Sequence, residues 1–263
     1  MNAGAHLTSL DDGTRILTLS NPAKRNALDP AMCAALATSI ASVANDRAAR
    51  SLIVTGEGDA FCAGADLPAM FGDLDRPVPE IRAGLREAYA SFLGIRALSI
   101  PVIAAVTGPA IGAGLNIALS CDLVIASPTA TFGATFARIG LHPGGGATAF
   151  LVESLGRQRA TRLLLEGGTL SAQDALSWGL VESVTEDPLR EARTLAAKVA
   201  LLEPELARNI KEAVRLATQG PLEPVVSFES WAQAASAKGE RVAAAVAKFR
   251  KRGAVSTDGR ERT

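Results

Sequence analysis

The apolar positions of this chain switch between strand and helix periods through its first half and settle into the helix period in its second. Residues 15–19, RILTL, have strand character and stop at Asn21-Pro22, a pair that breaks regular structure. Asp29-Pro30 then reads as an N-cap followed by proline at the first helical position. The helix it opens runs to about residue 45, with Met32, Leu36, Ile40 and Val43 spaced by three and four. Residues 51–55, SLIVT, form a short apolar run, the mark of a strand covered on both faces. A polar, proline-containing loop at 72–79 leads to a helical pattern over 80–98. Residues 101–106, PVIAAV, and 122–126, DLVIA, are further buried strands. Strands alternating with helices predict an α/β fold with crossover connections.

Past Leu151 the strand signals nearly vanish. Residues 157–166, 171–178, 188–202, 204–218 and 220–252 all carry helical patterns. Ser171 with Asp174 has the spacing of a capping box. The expected organisation is an α/β core over 1–195, a helical region over 196–253 and an irregular polar tail over 254–263.

Composition narrows the function classes. Of the 263 residues, 48% are hydrophobic and 21% charged, which suits a folded domain with a large core. Lys+Arg and Asp+Glu each total 27, so no overall field favours nucleic acid or acidic lipid. No apolar run approaches the roughly 20 residues of a membrane span. The longest candidate, 100–118, is broken by Pro101, Pro109 and glycines. The first residues carry neither a secretory nor a transit pattern, so a cytoplasmic location is expected. Cys33, Cys62 and Cys121 are too widely spaced for a zinc site or a disulfide framework and read as buried, reduced thiols.

Two stretches are rich in small residues. Each of SLIVTGEGDAFCAGADL and PVIAAVTGPAIGAGLNIAL is a strand followed by a glycine-containing turn and a helix start. Such turns bring backbone N–H groups to the carboxyl edge of a sheet, where a ligand can approach the main chain. Side by side, they would aim two N–H groups at one developing oxyanion. The same residues would equally serve tight helix–strand packing. Gly112-Ala113-Gly114 also touches on the dinucleotide fingerprint, but Ile117 stands where its third small residue belongs. Position 134, where an acidic residue is required, is alanine. A nucleotide-dependent oxidoreductase is therefore disfavoured.

Five linked blocks carry a resemblance: NPAKRNALD (21–29), VTGEGDAFCAGADL (54–67), PVIAAVTGPAIGAGLNIALSCDLVIAS (101–127), FGATFARIGLHPGGGA (132–147) and LLLEGGTLSAQDALSWGLVESV (163–184). In this order and spacing they resemble the crotonase superfamily, the enoyl-CoA hydratase/isomerase family, over about residues 10–250. The resemblance implies a crotonase (ClpP-like) fold of repeated ββα units with a helical C-terminal trimerisation region, assembled as a homotrimer or homohexamer. It implies a coenzyme A thioester as ligand, in fatty acid or acyl-CoA metabolism, with no separate cofactor or metal. The oxyanion hole would be the backbone N–H groups of Ala65 and Ala113, the latter where the family has glycine. Lys24 and Arg25 would meet the CoA phosphates, and backbone near Ala27, Ala63 and Asp66 the adenine and pantetheine. Leu67, Ile111, Gly112, Ile139, Pro143 and Gly144 fall in the blocks that line the substrate, and Phe136, Ile139 and Leu141 suggest an apolar tail pocket. The late A-F-x-x-K-R helix keeps only its lysine, Lys248.

The sequence departs from that pattern where the acids belong. Hydratases resembling it use two glutamates to hold and activate water; here those positions are Asn116 and Phe136. Other members place an acid or base at the positions of Pro143 and Gly144, which are also empty of one. The titratable groups left nearby are His142, Arg138 and Asp66. His142 is either a base that titrates near neutrality or a residue packed at a helix entry; Asp66 is expected to hold its loop. The first expectation is an acyl-CoA enzyme, a lyase or isomerase stabilising a thioester enolate, with poor hydration. The alternative is a catalytically silent acyl-CoA-binding protein.

Overall fold

Alternate isoleucines and leucines on short parallel strands organise the centre of this molecule. The computed structural model describes residues 3–258, and their side chains except those of 219 and 251–258. It divides into two units, Met1–Leu202 and Glu203–Thr263. In chain order the first unit runs β1 (Gly4–Ser9), β2 (Thr14–Ser20), α1 (Pro30–Asn45), β3 (Ser51–Gly56), α2 (Leu67–Phe71), α3 (Val78–Leu93), β4 (Val102–Val106), β5 (Pro109–Ile111) and α4 (Ala113–Leu119). It continues with β6 (Leu123–Ala126), β7 (Thr131–Gly133), α5 (Ala147–Glu166), β8 (Thr169–Ser171), α6 (Ala172–Trp178), β9 (Ser183–Val184) and α7 (Pro188–Ala200). The successions β1-β2-α1, β4-β5-α4 and β6-β7-α5 repeat a ββα unit.

Six strands form one sheet in the order β1-β2-β3-β4-β6-β9; β1 is antiparallel to β2 and the other pairings are parallel. Register sets Ile16, Ile53, Ile103 and Leu123 in one row across the sheet, and Leu17, Val54, Ala104 and Val124 in the next. Successive side chains of a strand face opposite ways, so the two rows feed different cores. The first joins Ala192 and Ala196 of α7. The second joins Leu36 and Ile40 of α1 in the larger core. Full burial of each such side chain stabilises the fold by about 1.5–3 kcal/mol. A second sheet, β5-β7-β8, has three residues per strand and sits at the ends of the crossovers.

The second unit contains α8 (Pro204–Gln219), α9 (Leu222–Ser236) and α10 (Glu240–Asp258). Ile210, Val214, Trp231 and Phe249 are exposed on it. No helix among the described residues is long and apolar enough to cross a membrane.

Several expectations shift. The helix expected over 80–98 is Val78–Leu93. The pattern at 157–166 is the second half of α5, which is interrupted at Gly156 (φ 72°, ψ 165°). The pattern at 220–252 is two helices, α9 and α10. Strands β8 and β9 lie beyond Leu151 and, at three and two residues, show no period. Helix α7 buries Ala192 and Ala196 against the sheet, and the first unit runs through Leu202. Of the expected tail, α10 takes residues 254–258, and 259–263 lie outside the described residues. Asp29 and Ser171 cap α1 and α6 as the sequence indicates: the Asp29 carboxylate accepts from the Met32 N–H at 2.8 Å, and the Ser171 hydroxyl accepts from the Asp174 N–H at 3.1 Å.

Candidate active site

Strands β3 and β4 lie side by side, so the turns that follow them are neighbours. Short backbone bridges then lace the turns together. Leu28 pairs with Ala65 and Cys62 with Ala110, both in parallel sense. The Leu28 N–H donates to the Gly64 carbonyl at 2.7 Å, and the Asp66 N–H to the Leu28 carbonyl at 2.9 Å. Successive peptide groups in an extended strand point opposite ways, so the Ala65 N–H faces away from Leu28. The Ile111 N–H donates to the Cys62 carbonyl at 3.0 Å and ties the second turn to the first. Gly112 holds φ 54° and ψ −113°, a conformation open to glycine, and delivers the chain into α4 at Ala113. As the first residue of that helix, Ala113 has an N–H with no intrahelical acceptor. Its φ is not positive, so alanine stands there without backbone strain.

The loop around the first turn is held from beneath. Asn26 is fully buried with φ 58°, and its amide Nδ2 donates to the carbonyls of Glu57 and Ala60 at 2.9 and 2.8 Å. Its Oδ1 accepts from the Asn21 N–H at 2.8 Å. Asp66 caps α2 by accepting from the Ala69 N–H at 3.2 Å and pairs with the Lys24 ammonium at 2.7 Å. The Lys24 hydrogen bond, reinforced by the Ala69 N–H, holds the Asp66 carboxyl below the usual carboxylate range. Cys62 is wholly buried, and burial pushes its thiol up to about 12. All three cysteines are buried and outside any disulfide.

Both turns open onto one cavity of about 520 Å³. Its lining includes Ala63, Ala65, Leu67, Ile111, Gly112, Ala113, Asn116, Phe136, Ile139, His142, Pro143 and Gly144, all expected from the sequence. Four expected residues are not on it: Lys24 and Arg25 are exposed, Ala27 is buried behind Leu28, and Asp66 is turned to its cap. Lys248 is exposed on α10.

The comparisons with known proteins agree with this geometry. The sequence profile of the enoyl-CoA hydratase/isomerase family matches residues 11–256. The chain belongs to the enoyl-CoA hydratase/isomerase family. It is 40% identical over 215 residues to the probable enoyl-CoA hydratase EchA14 of Mycobacterium tuberculosis, covering 82% of each chain. It is 34% identical over 226 residues to the 1,2-epoxyphenylacetyl-CoA isomerase of Escherichia coli, covering 85% of this chain and 86% of that one. A crystal structure of an enoyl-CoA hydratase/isomerase from Mycobacterium abscessus superposes with a TM-score of 0.87 at 30% identity, covering 94% and 96% of the two chains. The fold is thereby the crotonase fold.

The two positions expected to carry carboxylates hold Asn116 and Phe136. Asn116 is 1% exposed; its Nδ2 donates to the Gly144 carbonyl at 2.8 Å, and its Oδ1 has no partner. The Phe136 ring covers Gly112, 3.9 Å from the place a Cβ there would take. His142 is exposed at the rim, with Nδ1 2.8 Å from the Pro143 carbonyl oxygen. Phe71 and Leu85 also line the cavity. Tyr89 also lines the cavity and was not expected. It is the single tyrosine of the chain, and with Leu85, Ala88 and Phe92 it follows the helical spacing of α3. That spacing marks one face but does not say which cavity the face meets.

Proposed function

We propose that this chain binds a coenzyme A thioester, places its carbonyl oxygen between the N–H groups of Ala65 and Ala113, and stabilises the enolate that forms there. The observation that carries this reading is the pair of N–H groups without protein acceptors at the mouth of one apolar cavity. Oriented donors in a site shielded from water stabilise developing charge without reorganising, typically by a few kcal/mol per donor. Arg25 and Lys24 lie on the outer side of the first turn, where exposed cations suit the phosphates of CoA. The CoA moiety belongs to the substrate, and the chemistry asks for no further cofactor. Exposed Ile210, Val214, Trp231 and Phe249 support assembly of the second unit into a homotrimer or homohexamer. We place the protein in the cytoplasm, in acyl-CoA metabolism.

Hydration is not the reaction this pocket favours. Asn116 and Phe136 transfer no proton at neutral pH, and Phe136 dries the wall where water would be activated. An enolate reaction of another kind fits better, isomerisation included. One observation favours the second reading, a binder that turns nothing over: the Asn116 amide is spent on the Gly144 carbonyl.

The test is hydration of trans-2-enoyl-CoA esters of several chain lengths, with calorimetric binding on the same preparation. Binding with little hydration is expected. The double variant Asn116→Glu, Phe136→Glu, still binding, should then gain hydration by at least about 100-fold, the usual worth of a positioned acid or base. Failure of every acyl-CoA ester to bind would end the reading.

A further inference from the structure

The cavity is lined by a phenol that the family pattern does not assign. We propose that Tyr89 is the proton-transfer residue of this site, its phenol delivering a proton to the α-carbon of the bound enolate. This rests on the acyl-CoA reading above.

The placement is specific. Tyr89 projects from α3 to the turn at Gly144-Gly145, and its Oη lies 2.2 Å from where a Cβ on Gly144 would stand. Any side chain at 144 would collide with the hydroxyl. The glycine thus leaves the space in which the phenol sits, at a position where the sequence itself provides no acid. The ring is fixed by an edge-on contact with Phe92, centroids 6.4 Å apart and planes at 63°. The Gly145 N–H donates to Oη. No group among the described residues accepts the hydroxyl hydrogen, so it is free for a ligand. Burial raises the phenol's pKa, so the group enters the step carrying its proton.

The neighbouring groups do not compete for this role. Asn116 is held by the Gly144 carbonyl and is no acid. Its unpartnered, buried Oδ1 is an acceptor placed at the same turn, fit to hold a water molecule. The charged or titratable side chains besides Tyr89 on the lining are Arg138 and His142, both exposed.

In the step, the O–H bond of Tyr89 breaks and its electron pair stays on oxygen. A C–H bond forms at the α-carbon with the enolate's electron pair, and the thioester carbonyl is restored. The phenolate, hydrogen-bonded by the Gly145 N–H, regains a proton from water. The reverse step removes an α-proton and needs the phenolate, so the protein exchanges α-hydrogens of a saturated thioester with solvent, faster as pH rises.

Exchange of the α-hydrogens of butyryl-CoA in D2O over a rising alkaline pH series, followed by proton NMR, tests this without knowledge of the natural substrate. Wild type should exchange them, and Tyr89→Phe should slow exchange at least about 100-fold with butyryl-CoA affinity unchanged. The substitution keeps the ring that packs on Phe92, so a structural role alone would leave the rate intact. Equal rates in wild type and Tyr89→Phe would overturn the Tyr89 assignment and leave the enolate reading standing. Binding of butyryl-CoA with no exchange by wild type would overturn both.

Discussion

The cavity has two walls made from different material. One is main chain: the turns at Gly64-Ala65 and Gly112-Ala113, laced by bridges between Leu28, Cys62, Ala65 and Ala110. The other is side chain: Tyr89 and Phe92 from α3, Asn116 from α4, and Phe136, Ile139 and Leu141 from the segment after β7. The backbone wall resists change, since a Cβ on Gly64 or Gly114 would lie 2.7 Å from the Ile111 or 2.1 Å from the Cys62 carbonyl oxygen. The side-chain wall can be exchanged residue by residue. That difference teaches where this site can vary: the paired turns are built into the fold, whereas Asn116 and Phe136, at the positions expected to carry acids, are attached to it.

The sharpest way to break the comparison is to put an atom into the backbone wall. A Cβ on Gly114 would lie 2.1 Å from the Cys62 carbonyl oxygen. Gly114→Val should destabilise the protein by about 3 kcal/mol or more, beyond ordinary overpacking, because backbone rather than a rotamer must move. Thermal unfolding with an unchanged Tm would show that the two turns are not locked together.

A smaller effect is expected one layer below. Asn26→Ala leaves the half-buried Glu57 and buried Ala60 carbonyls without this donor and should cost about 2 kcal/mol in denaturant titration. It should lower acyl-CoA affinity along with stability, since the loop it holds carries Ala65. Loss of stability with affinity intact would mean that the first turn keeps its shape unaided.

The least is expected at the surface pair. Lys24 holds the Asp66 carboxyl low through its hydrogen bond and charge. A carboxyl depressed on folding adds stability above its unfolded pKa, about 4, and that stability is lost as pH falls through the folded value. Lys24→Ala should raise the Asp66 pKa toward 4, read by NMR titration, and flatten that acid-side loss. The Ala69 N–H still caps onto Asp66, so the pKa should stop short of the free value. No movement on Lys24→Ala would mean that the cap alone sets it.

Sequence reading reached the backbone wall because its signals are local. A glycine-rich turn after an apolar strand, a Pro after Asp29 and a Ser three residues before Asp174 each act within a few residues of themselves. Ala65, Ala113, Asn116 and Phe136 were named from the blocks that contain them, and all four line the cavity. It did not reach Tyr89, whose neighbours Gly144 and Gly145 are more than fifty positions away. Nor did it show that Lys24 spends its charge on Asp66, or that Asn116 spends its amide on Gly144.

The sequence by itself determined the alternation of strands and helices, the family and the two small-residue turns, because period, capping and turn chemistry are set by neighbours along the chain. Only the tertiary structure decided which N–H groups stand free, which phenol fills the space beside Gly144, and that α7 belongs to the sheet. Those follow from pairings between β2, β3 and β4 and from the docking of α3 on the 144–145 turn, where the partners are distant in sequence and no local pattern encodes the contact.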